Sequence, residues 1–137
     1  MFRNLLIASI FFLTLSCGQR KGEYYFDFDE VDHYSISIDE DVLFDLEERN
    51  DLSANERLKI DVILNNTPEK FQDTSFISKL TKIGFTKHKV AENKHPELSE
   101  IFRDKSHKEV YVLDCIYVYR DVLIFKKSDS IVGVAKV

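Results

Sequence analysis

Residues 109–137, EVYVLDCIYVYRDVLIFKKSDSIVGVAKV, decide the fold class. Glu109 to Tyr119, Val122 to Lys127 and Ile131 to Val137 are rich in β-branched and aromatic residues, which favour a pleated, packed surface. Arg120-Asp121 and Ser128-Asp129-Ser130 break the runs, so this third of the chain predicts a three-stranded antiparallel meander.

Working outward, Tyr24 to Asp29 and Val31 to Ile38 alternate with the period of two that marks half-buried strands. Phe26 and Phe28 share a side with Tyr24, and Tyr34, Ile36 and Ile38 lie opposite His33, Ser35 and Ser37. Between these ends the pattern turns helical. Asp39 or Glu40 starts a helix to about Arg49, with Val42, Leu43 and Leu46 spaced for one face. Ser53-Ala-Asn-Glu56 reads as a capping box for a helix to Leu64, although Leu58, Ile60, Val62 and Leu64 also alternate as a strand would. Asp73 caps a helix presenting Phe76, Ile77, Leu80 and Ile83, which Gly84 ends as a left-handed cap. Lysine-rich Thr86 to His95 reads as a loop. Pro96 opens a helix to about Lys105, with Leu98, Ile101 and Phe102 inward. The expectation is a single α+β domain over 24–137: a mostly antiparallel sheet of two N-terminal strands and the C-terminal three-stranded meander, with three to four helices on one face.

The chain's beginning has a different character. Arg3 precedes an unbroken apolar run from Leu5 to Leu15. Such a run makes a helix of about 16 Å, half of a roughly 30 Å hydrocarbon core, and fits the h-region of an export signal. It ends in Leu13-Thr14-Leu15-Ser16-Cys17-Gly18. These residues resemble a bacterial lipobox of the loose, Bacteroidota-like kind, with Ser16 in place before the cysteine and Leu15 and Thr14 departing from the enterobacterial form. The resemblance implies cleavage of a 1–16 signal peptide, lipid on Cys17, a short tether over 17–23 and attachment to a cell envelope. Gly18 after the cysteine points to the outer membrane. Thr14 and Ser16 also suit an ordinary signal peptidase cutting at the same bond, which leaves Cys17 a thiol able to pair with Cys115.

Composition bounds the chemistry. The net charge is -5, and loss of Arg3 with the leader takes the mature part to about -6. An acidic domain without a basic stripe makes a poor nucleic-acid binder, because phosphate neutralisation supplies most of that affinity. It is also repelled by anionic head groups, so acyl chains must do the anchoring, and two or more suffice. Gly84 and Gly133 are the glycines beyond the tether, too few and too scattered for a phosphate-cradling loop.

Candidate site residues are few. Cys115 lies among apolar neighbours beside Asp114, a setting for packing rather than nucleophilic attack. His33, His88, His95 and His107 lack metal-ligand spacing, so neither a metal nor a cofactor is expected. Asp27, Asp29, Glu30 and Asp32 read as a solvated acidic face without the glycine of a calcium loop. Tyr111, Tyr117 and Tyr119 alternate on one strand face with Cys115, opposite Val110, Val112, Ile116 and Val118; with both faces apolar they read as core of a covered strand, or else as the first place to look for an interaction face. Together these residues point to an envelope lipoprotein with a non-enzymatic binding module, of an inhibitor or immunity type, facing a protein or an envelope polymer. The alternatives are a small hydrolase whose site assembles from dispersed residues and a ligand-carrying module, which an apolar cavity between sheet and helices would mark.

Overall fold

The computed structural model describes residues 22–70, 73–104 and 117–137. Among these residues, four strands make one antiparallel sheet: β1 (Glu30–Ser35), β2 (Thr86–Lys89), β3 (Asp121–Lys127) and β4 (Ser130–Lys136), in the spatial order β2-β1-β3-β4. The helices are α1 (Glu40–Glu48), α2 (Ala54–Leu64) and α3 (His95–Ile101), with 3₁₀ segments at Ile77–Ile83 and Glu92–Lys94. The α+β class is therefore as the sequence predicts.

Local signals explain most of these elements. Asp39 accepts from the backbone of Asp41 to start α1. At α2 the capping box is complete: Ser53 accepts from the Glu56 N–H, and the Glu56 carboxylate accepts from the Ser53 N–H at 2.8 Å. These caps satisfy donors that the first helical turn leaves without partners. Ser128 and Asp129 both take positive φ, 49° and 65°, and close the two-residue turn between β3 and β4. Small polar residues tolerate this mirror-image turn, whose twist matches that of the strands. Gly84 ends the Ile77–Ile83 segment at φ 107°, as expected of a left-handed cap.

The sheet is covered on both sides. On the first face Tyr34, Val122 and Ile124 pack with Leu43 of α1, Val62 and Ile63 of α2, and Phe76, Leu80, Ile83 and Phe85. On the second face Val31, Leu123 and Phe125 lie under Phe26, Phe28, Leu98 and Phe102. Phe125 is fully buried in a nest of rings, 4.4 Å from Phe26, 4.9 Å from Phe28 and 5.2 Å from Phe102, centre to centre. The Phe26 ring also lies on Gly133, where any Cβ would overlap it.

Four details correct the sequence reading. The helices do not share one face, since α3 packs through Leu98 on the second. Thr86–Lys89, expected as loop, is the edge strand β2. Tyr24 to Asp29, expected as a strand, makes a single bridge at Tyr24–Arg103, and its residues through Phe28 serve as an aromatic strap. Of the expected strand Glu109–Tyr119, residues 109–116 lie outside the described residues. Its end is not strand, because the Tyr119 N–H donates to the Ile63 carbonyl of α2 at 2.9 Å rather than to a sheet neighbour.

Candidate functional site

The register places unlike chemistries at the two ends of the second face. In the β1–β2 pair His33 stands opposite His88 and Ser35 opposite Thr86; in the β1–β3 pair Leu123 stands opposite His33 and Asp121 opposite Ser35. Opposed residues of an antiparallel pair project to the same side. The aromatic strap covers the Val31–Phe125 end, and the other end presents two imidazoles, two hydroxyls and a carboxylate.

These groups are joined in pairs. The His33 Nε2–H donates to Asp121 Oδ1 at 2.6 Å. A carboxylate can only accept, so this contact fixes the proton on Nε2 and leaves Nδ1 as the acceptor of the neutral ring. His88 Nε2 lies 3.1 Å from Ser35 Oγ, and the two imidazole centres are 5.5 Å apart. The row runs Ser35, His88, His33, Asp121, with no hydrogen bond between the two rings.

Beside this row a cleft of about 380 Å³ opens between the sheet and α3. Val90, Leu98, Ile101 and Leu123 form its apolar wall, His33 and Asp121 its polar end, and Lys94 and Glu97 its rim. The rim pair is joined at 3.1 Å. An apolar pocket of a few hundred Å³ with a few convergent polar groups is the usual form of a ligand site. Among the described residues, no group of three or more His, Cys, Asp or Glu is placed to hold a metal ion.

Two other ionic groups serve the frame. Asp32 is buried on the first face and accepts from Lys126 at 2.6 Å and Lys87 at 2.8 Å. Burial pushes its pKa up, but the donors from the two lysines outweigh it and hold the carboxyl below its ordinary value. Lys136 donates to the Val62 carbonyl at 3.0 Å and to the Asn65 carbonyl, capping α2, and its ammonium sits over the Tyr119 ring. Burial pushes it down to about 8. The carbonyls that it caps favour the charged form and oppose that shift.

Of the residues singled out from sequence, Cys17, His107, Tyr111 and Cys115 lie outside the described residues. Tyr117 is exposed and Tyr119 half-buried, their rings stacked 6.0 Å apart. They lie away from the cleft lining. Of the acidic cluster, Asp27 and Asp29 are exposed as expected, whereas Asp32 is buried in its ion pairs. His33 and His88 are 55 positions apart, and only strand pairing makes them neighbours. The sole hint in sequence is the His33-x-Ser35 alternation; nothing marks Asp121, which reads as a strand breaker. Compared with protein-family models, curated proteins and solved structures, the chain matches none.

Proposed function

We propose that this chain is a lipid-anchored envelope protein whose domain is a non-enzymatic binding module, taking part of its partner into the cleft between α3 and the sheet. The cleft itself is the observation that carries the reading: an apolar wall for a side chain or short acyl group, closed by the His33–Asp121 pair, whose free Nδ1 and carboxylate oxygens accept hydrogen bonds. The lipobox-like Leu13 to Gly18 supports the address. A protein partner of the inhibitor or immunity kind fits a small domain whose polar groups are paired with one another rather than poised for reaction.

Expression of the full chain in a lipoprotein-processing bacterium, followed by crosslinking in solubilised envelopes, tests this. The wild type is expected to capture a partner that His33→Ala and Lys94→Glu, both at the cleft, capture at least tenfold less. Equal capture by all three removes the cleft reading. The intact mass reports separately whether Cys17 is acylated.

One observation favours a second reading, a small hydrolase: Ser35 and His88 are within hydrogen-bonding distance beside a His–Asp pair. The order is wrong for a relay, because the histidine on the serine has no carboxylate partner among the described residues, and the histidine with the carboxylate does not reach the serine. A triad needs both contacts on one ring. Covalent labelling of Ser35 by a fluorophosphonate would establish the hydrolase; unlabelled Ser35 removes a serine-nucleophile form of it.

A further inference from the structure

We propose that the corner formed by Tyr24, Tyr25 and the end of α3 is a membrane-docking surface, resting on the same bilayer that carries the acyl chains of Cys17. This rests on the reading that Cys17 is acylated, and it adds an orientation that an anchor alone does not impose.

Exposed apolar surface is concentrated at this corner. Six large hydrophobic side chains are exposed among the described residues, and three of them are here: Tyr24 at 52%, Tyr25 at 63% and Ile101 at 55%. The backbone holds them together. Tyr24 bridges to Arg103, the Tyr25 N–H donates to the Phe102 carbonyl at 3.0 Å, and the Asp104 N–H donates to the Glu23 carbonyl at 2.8 Å. Tyrosine is the side chain suited to a membrane boundary, with an apolar ring and a hydroxyl that stays among head groups.

The tether makes the bilayer the occupant. From Cys17 to Tyr24 the chain can extend at most about 25 Å. A domain of this size has a radius of gyration of about 13 Å, so its far side lies roughly 35 Å from the corner. The anchor therefore keeps the Tyr24 corner nearest the membrane. In sequence, Arg20 and Lys21 put two positive charges within the tether.

The acids at the corner are tied to partners. Glu100 accepts from Arg103 at 2.7 Å and from the Tyr24 hydroxyl at 3.0 Å, and Asp104 accepts from the Tyr25 hydroxyl at 3.3 Å. The Arg103 guanidinium lies over the Tyr24 ring, 4.2 Å from its centre. Ile101 belongs both to this corner and to the cleft wall, so docking sets the cleft mouth beside the bilayer.

Hydroxyl-radical footprinting of the acylated full-length protein in phosphatidylethanolamine–phosphatidylglycerol liposomes tests the proposal. Tyr117, 60% exposed, is the internal reference because its exposure matches that of Tyr24 and Tyr25. Docking predicts oxidation of Tyr24 and Tyr25 at least fivefold slower than Tyr117. Tyr25→Asp combined with Ile101→Asp, both on exposed positions, should return Tyr24 to the Tyr117 rate. Equal rates in the wild type, on a sample whose mass shows an acylated Cys17, overturn the docking while leaving the anchor standing. A mass without acyl chains overturns the anchor and the docking with it. Protection that persists in the double variant overturns docking through these side chains.

Discussion

Among the described residues, the face of the sheet beneath α1 and α2 joins ten buried residues into one core, whereas the opposite face joins Val31, Leu123 and Phe125. On the first face Tyr34, Val122 and Ile124 form an apolar middle, with Asp32 sealed by Lys87 and Lys126, and Lys136 set opposite Val122. The second is apolar only where Phe26, Phe28 and Phe102 cover it, and then gives way to His33, His88, Ser35 and Asp121 beside an open cleft. Closed packing stabilises because every buried methylene leaves water and keeps its dispersion contacts. An open end forgoes that stabilisation and leaves polar groups able to meet a ligand. The contrast puts most of the packing on one face and, on the binding reading proposed above, recognition on the other.

The comparison breaks most readily at Phe125. Because four rings meet there, Phe125→Ala is expected to cost about 4 kcal/mol, somewhat more than the roughly 3 kcal/mol of Leu80→Ala in the larger core. Urea denaturation checks both. A cost below about 1 kcal/mol at Phe125 would mean that the aromatic strap is not packed on the second face.

A smaller effect is expected at Asp32. Asp32→Asn leaves Lys87 without its carboxylate and Lys126 with Glu30 alone, and should cost about 2 kcal/mol, less than in a fully buried pair because the Lys87 side chain is half-exposed and Lys126 keeps a partner. The folded-state pKa of Asp32 lies below its unfolded value. Its contribution is thus complete above the ordinary aspartate pKa and disappears as pH falls through the folded one. Wild type and variant should converge in acid; curves that stay parallel from neutral pH to pH 2 would contradict the ion-pair account.

The smallest effect sharpens the contrast rather than testing it to failure. His33→Ala removes one partly exposed hydrogen bond, so stability should change by about 1 kcal/mol or less while partner capture falls. Thermal unfolding beside the crosslinking measurement separates the two readouts. A loss comparable to that of Leu80→Ala would make His33 part of the frame.

How much was legible follows from the range of each signal. Ser53-x-x-Glu56, Gly84, Ser128-Asp129 and the Val122–Lys127 run declare themselves within a few residues, and all four are as expected. Thr86-Lys-His-Lys89 carries no apolar alternation, because an edge strand exposed along its length needs none and its lysines suit an edge that must not recruit other chains. Tyr24 to Phe28 alternates correctly, with Phe26 and Phe28 inward, yet alternation reports a buried side and not a hydrogen-bonded neighbour. The cleft was the least legible feature, since its polar end comes from positions 33 and 121, whose proximity is a matter of register.

By itself the sequence determined the elements with short-range causes and the α+β class. Only the tertiary structure decided that α3 covers the opposite face from α1 and α2, that Thr86–Lys89 is a strand, and that His33, His88, Ser35 and Asp121 meet. Capping and turn geometry are local properties of a few neighbouring residues, whereas a shared sheet face depends on strand order and pairing among segments distant along the chain.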